Sequence, residues 1–115
     1  MRIVEKPWGR EIWWAQTSSY VGKRIEVRGG NALSLQYHRE KLETMYFERG
    51  EGELTLGDTV RPIPVGEAVT IIPGTVHRIR AVSDVVIWEV STPQVEDVVR
   101  LADEYGRGGA GGGKG

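Results

Sequence analysis

Short runs in which apolar and polar side chains alternate fill most of this chain, and glycine-bearing turns separate them. β-branched and aromatic residues are dense in residues 11–16, 21–28, 33–38, 44–49, 53–56, 59–63, 68–72, 77–82 and 85–91. Gly-Gly, Gly-Glu-Gly, Gly-Asp and Ser-Asp punctuate these runs. That rhythm predicts an all-β domain, closed into a barrel or folded as a double sheet. One stretch departs from it: Val95, Val98, Val99 and Ala102 recur at helical spacing, with Thr92 placed to cap and Pro93 at the first helical position. A short helical turn is predicted there. There is no internal repeat.

Alternation also assigns faces. Within residues 33–38, Ser34, Gln36 and His38 share one side and Leu33, Leu35 and Tyr37 the other, so this strand is predicted to be covered on both sides, its polar side lining a cavity. Glu43 follows a short connection and opens the next strand, while His77 begins a later one beside Ile79 and Ala81. The chain has two histidines, His38 and His77, and no cysteine. If their strands pair in a small barrel, Gln36, His38, Glu43 and His77 converge. Nitrogen and oxygen donors without sulfur describe a site for a borderline-hard divalent ion and not a structural zinc knuckle.

Composition narrows the class. With 115 residues the chain makes one domain. Its 15 basic and 16 acidic side chains nearly cancel, which leaves no global field to recruit nucleic acid or an anionic membrane. The lack of cysteine fits a reducing cytoplasm. Residues 1–10 carry charge without an apolar core, so no signal peptide is expected, and no apolar run approaches the ~20 residues of a membrane span. Residues 108–115 are glycine-rich with nothing to bury and are expected to be disordered, which leaves residues 1–107 as the domain.

The spacing Gly30-x5-Gln36-x-His38-x4-Glu43-x6-Gly50 resembles the first cupin motif, in which two histidines and a glutamate bind metal. Gly66-x5-Ile72-x-Gly74-x2-His77 resembles the second, which supplies the last histidine. Gln36 stands where cupins usually carry histidine, Ile72 where they carry proline, and Ala81 where asparagine is common. The segment Leu33-Ser34-Leu35-Gln36-Tyr37-His38 is similar to one in type II phosphomannose isomerases, domains often joined to mannose-1-phosphate guanylyltransferases. Lys6-Pro7-Trp8-Gly9 resembles the opening of that domain. Asp97-Val98-Val99-Arg100 and Asp103-Glu104-Tyr105-Gly106-Arg107 resemble its close. The resemblance implies a cupin-type barrel, a double-stranded β-helix or jelly roll. This sequence holds no Gly-rich nucleotidyltransferase loop, so guanylyl transfer is not expected of it.

The activity implied is a metal-dependent aldose–ketose isomerisation of a phosphorylated hexose such as mannose 6-phosphate. One divalent ion (Zn, Mn, Co, Ni or Fe) on Gln36, His38, Glu43 and His77 would stabilise the enediolate as a Lewis acid. Lys41, between His38 and Glu43, and Glu89, an acid in the otherwise apolar row Val85, Ile87, are the candidate catalytic bases. Arg100 and Arg107 are the candidate phosphate anchors, by resemblance. The other basic residues, Lys23 among them, are expected at the surface. Trp8, in its Pro-Trp-Gly turn, is expected to pack or to frame a cavity mouth. Two alternatives stay open: a non-catalytic sugar or sugar-nucleotide binding cupin, and an iron-dependent dioxygenase on the same scaffold. Trp13, Leu35, Tyr37 and Tyr46 are read as an outer apolar row that a homodimer would bury.

Overall fold

The computed structural model describes residues 1–104; residues 105–115, with Arg107 and the glycine-rich end, lie outside the described residues. In chain order the strands are β1 (Arg2–Lys6), β2 (Gly9–Gln16), β3 (Val21–Val27), β4 (Leu35–Tyr37), β5 (Glu43–Arg49) and β6 (Gly52–Leu56). They continue as β7 (Thr59–Pro62), β8 (Ala68–Ile71), β9 (His77–Ala81), β10 (Val85–Ser91) and β11 (Val99–Ala102). Two antiparallel sheets result, one ordered β1-β2-β3-β10-β5-β8 and the other β11-β4-β9-β6-β7. Strands adjacent in space are mostly distant in sequence, because the chain crosses between the sheets and wraps both around one interior. This is the expected all-β double-stranded helix.

Cross-strand register stacks that interior in tiers. Glu11, Ile25, Ile87 and Phe47 stand opposite one another across β2, β3, β10 and β5. One step along lie Trp13, Lys23, Glu89 and Met45, and one further Val21, Ser91 and Glu43. Every one of these side chains is buried. Below them Trp8, Val27, Leu54, Ile79 and Val85 continue the apolar core that Ile25, Ile87 and Phe47 begin. One end of the barrel is therefore hydrocarbon, and the other is lined by ionisable groups. Each large apolar side chain withdrawn from water contributes about 1.5–3 kcal/mol, so the hydrocarbon end carries the stability against which the polar end is built.

Several expectations change. Residues 92–98 form no helix: their backbone bonds span two or three residues, as in Val95 N–H to the Pro93 carbonyl (2.8 Å). Val98 and Val99, both buried, then lead into β11, which pairs with β4. β-branched valines fit that half-buried edge better than a helix interior. The N-terminal strand β1 was not anticipated. Trp13 is not on the outer face: it points inward, donating its indole N–H to Glu11 (2.9 Å). Leu35 and Tyr37 sit on one sheet and Tyr46 on the other, so the expected apolar row is not a single surface. Trp8 is fully buried at the hydrocarbon end and frames no mouth. No helix among the described residues is long and apolar enough to cross a membrane.

Gly9 of the Pro-Trp-Gly turn shows why that motif is needed. A Cβ there would lie 1.9 Å from the Glu26 carbonyl oxygen, backbone that cannot move aside without breaking the β2–β3 ladder. Gly9→Ala is expected to destabilise the fold by at least about 2 kcal/mol, read from the urea midpoint. A midpoint equal to wild type would show that the turn tolerates a side chain.

Candidate metal centre

The two sheets each deliver part of the cluster. On the smaller sheet, β4 and β9 pair so that Gln36 lies opposite His77, and His38 follows the end of β4. Glu43 is the first residue of β5 on the larger sheet. The turn before His77 is locked to the other histidine: Gly74, at a φ of +86° that disfavours a side chain, donates its N–H to the His38 carbonyl at 2.7 Å.

His38 Nε2 lies 2.9 Å and His77 Nε2 3.4 Å from the same Glu43 oxygen, Oε1. Candidate ligand atoms of the three residues all fall within 4.8 Å of one another. Each ring's Nδ1 faces a backbone carbonyl, that of Asp97 for His38 and that of Thr75 for His77 (2.9 Å). A carbonyl only accepts, so the hydrogen of each neutral ring sits on Nδ1 and the Nε2 lone pair points inward. Both Nε2 atoms and Glu43 Oε1 are buried with no hydrogen-bond partner among the described residues. Three lone pairs converging without a proton between them repel, and a cation at their centre removes that repulsion. Ligand atoms bound at ~2.1 Å in tetrahedral or octahedral arrangement stand about 3.0–3.4 Å apart, which the two measured separations match. The donor set fits a divalent ion. Gln36 lies beside it, its Oε1 accepting the Ser34 hydroxyl at 2.7 Å. That bond orients the amide and leaves the oxygen a second lone pair.

A charge network continues inward. Lys41 Nζ lies 3.3 Å from Glu89 Oε2 and 3.8 Å from Glu43 Oε2. Burial opposes the Lys41 charge, but the carboxylates of Glu89 and Glu43 outweigh it and raise its pKa, so Lys41 holds its proton. Burial likewise works against ionised Glu43, yet the Lys41 ammonium keeps that carboxyl well below its ordinary range. Glu89 moves the other way, pushed up to about 7 by burial and by the negative charge of Glu43. One buried pair of acids thus contains a firm anion and a group poised to exchange a proton near neutrality.

Glu11 and Lys23 line the same space, joined at 3.3 Å, with the Lys23 ammonium 4.3 Å from the Trp13 ring centroid. Lys23 is therefore interior, not at the surface as expected. The signal was available, since Lys23 interrupts the apolar row Val21, Ile25, Val27 just as Glu89 interrupts its own. Arg100, on β11, is buried and pairs across from Gln36, which places it against the site. Arg107 lies outside the described residues. The central cavity, about 10 Å³, admits a single water. Val95, on the strap formed by residues 92–98, closes one wall.

Three findings from known proteins bear on this arrangement. The chain is 30% identical over 111 residues to the xanthan biosynthesis protein XanB of Xanthomonas campestris pv. campestris, covering 92% of this chain and 24% of that protein. It is 29% identical to the mannose-1-phosphate guanylyltransferase of Escherichia coli, with 92% and 23% covered. The chain thus spans about a quarter of the length of these relatives. Among solved structures, KdgF from Halomonas sp. superposes with a TM-score of 0.71 at 18% identity, covering 82% of this chain and 87% of that one. The sequence model of the cupin domain matches residues 23–90, and the chain belongs to the cupin family.

Proposed function

We propose that this cupin is a metal-dependent isomerase of a phosphorylated hexose such as mannose 6-phosphate, a reading supported by its likeness to proteins named mannose-1-phosphate guanylyltransferase. The observation that carries the reading is the adjacency of buried Glu89 and Lys41, 3.3 Å apart, to the His38, Glu43 and His77 cluster. Those three residues, with the Gln36 amide beside them, would hold a divalent ion that supplies Lewis-acid polarisation of the sugar's C1 and C2 oxygens.

The chain's own groups account for the proton movements. Ionised Glu89 takes the C2 proton, the C2–H electrons form the C1–C2 double bond, and the same carboxyl returns the proton to C1. The Lys41 ammonium gives a proton to O1 and recovers one from O2, so no proton is gained or lost overall. Lys41 serves here as a charged donor, because its two carboxylate neighbours keep it from acting as the base. Arg100, and Arg107 by resemblance alone, would anchor the phosphate.

Protein purified without added metal is expected to contain about one divalent ion per chain and to convert mannose 6-phosphate to fructose 6-phosphate in a coupled assay. Glu89→Gln is expected to lower turnover by about a hundredfold to ten-thousandfold while metal content stays at the wild-type level. Unchanged turnover removes Glu89 from the mechanism. The Gln36 amide, a weaker donor than an imidazole, favours a second reading, a metal-dependent sugar or sugar-nucleotide binding cupin. Stoichiometric metal and sugar binding without conversion would establish that reading instead. Oxygen consumption with iron would point to a dioxygenase.

A homodimer belongs to the same proposal. The outer face of the larger sheet exposes Trp14, Tyr46 and Val90, and Trp88 packs edge-on against Trp14 at 6.2 Å. Light scattering is expected to give twice the subunit mass, and Tyr46→Lys to halve it. A wild-type monomer at micromolar concentration would refute the dimer.

A further inference from the structure

The strap of residues 92–98 is held to the loop between His38 and Glu43 at two points. At its start, Thr92 donates its N–H to the Leu42 carbonyl and accepts the Leu42 N–H on Oγ1, both at 3.0 Å. At its far end, the Asp97 carboxylate accepts the backbone N–H groups of Arg39 (3.1 Å), Glu40 (2.6 Å) and Lys41 (3.0 Å). The Asp97 backbone carbonyl receives the Nδ1–H of His38. One residue therefore fixes the loop by its side chain and the histidine by its main chain. The Thr92 end bonds the same loop at Leu42 but makes no bond to His38.

We infer that Asp97 is a clasp, a positioning residue through which closure of the strap sets the orientation and tautomer of His38. The inference rests on the reading of His38 as a metal ligand. Three charge-assisted bonds hold residue 97 against the loop, and its carbonyl then stands where only an Nδ1–H can meet it. Val95, two residues before, closes a cavity that admits one water. A sugar-sized ligand that enters past Val95 displaces that part of the strap, and displacement carried as far as residue 97 releases His38. Ligand entry and the order of the metal centre are thereby coupled, and the coupling is reciprocal: an ion that fixes His38 also holds the strap down.

The test is a cobalt titration of the full chain, wild type against Asp97→Ala and Thr92→Val. Asp97→Ala is expected to weaken cobalt binding about 10- to 100-fold, the usual cost of losing a ligand's supporting contact. Thr92→Val loosens the same strap away from His38 and is expected to change affinity less than about threefold. Hydrogen exchange gives the reciprocal readout: cobalt should slow the amides of residues 39–41 in wild type and in Thr92→Val, but not in Asp97→Ala. Nitrogen NMR of the metal-free protein should show His38 as the Nδ1–H tautomer in wild type and a mixture in Asp97→Ala. If Asp97→Ala does not fold, Asp97→Asn retains the shape with fewer acceptors and should give the same shifts in smaller measure.

Equal loss of affinity in Thr92→Val and Asp97→Ala, or none in Asp97→Ala, overturns the clasp. So does an Nε2–H tautomer in wild type. A wild type that binds no cobalt but keeps the Nδ1–H tautomer, lost in Asp97→Ala, removes the metal-centre reading and leaves the clasp standing.

Discussion

Two imidazole nitrogens aimed at one buried carboxylate oxygen, with their hydrogens committed elsewhere, are the constraint around which this barrel is arranged. The Asp97 and Thr75 carbonyls take the Nδ1 hydrogens, so among the described residues nothing satisfies the three converging lone pairs. Such a cluster costs free energy in a low-dielectric interior unless a cation completes it. The fold tolerates the cost because its ends are chemically divided. Trp8, Phe47, Leu54, Ile79 and Ile87 supply ordinary hydrocarbon burial at one end, and register alone carries Lys23, Glu89 and Glu43 to the other.

The same interior resists any reading of its charges one at a time. Glu11 faces Lys23, while Lys41 is shared between Glu89 and Glu43, so each ammonium has a carboxylate within 4 Å. Removing one member strands another, and burial, the Lys41 charge and the repulsion between Glu43 and Glu89 push the two acids apart in proton affinity. Glu43 lies closest to the imidazoles and stays charged. Glu89, also buried and facing the negative charge of Glu43, is the acid whose proton affinity is raised. A division of labour between ligand and proton carrier follows from neighbours, without any difference in residue type.

Most of the fold was legible because period-two alternation is a strong signal where one face is buried. It placed Ser34, Gln36 and His38 inward together and found Glu89 as an acid in an apolar row. Alternation failed where chain geometry departs from a regular ladder. Val95, Val98, Val99 and Ala102 match a helical period by coincidence, since a strap followed by an edge strand imposes no period of its own. Trp13 was misassigned because both Trp13 and its neighbour Trp14 are apolar, and only register separates the inward ring from the outward one. Lys23 was overlooked because lysine is so often exposed, although its row carried the same irregularity as that of Glu89. The role of Asp97 could not be read at all: it lies 59 residues from His38 and acts on it through a main-chain carbonyl, which no side-chain pattern reports.

Gln36 shows how one departure from a family's usual ligand set is absorbed. An amide in place of an imidazole keeps a neutral donor and gives up donor strength, while its carbonyl oxygen is free to turn. Ser34, two residues earlier on the same face, removes that freedom by donating its hydroxyl to Oε1. Because Gln36 pairs across from His77 on one side and Arg100 on the other, its backbone is fixed by two ladders as well. A weaker donor held in one orientation loses less on binding than a stronger one that must first be ordered. Ser34, Gln36 and the two carbonyl-braced histidines therefore form one hydrogen-bonded surface, and Val95 of the strap walls the small cavity beside it.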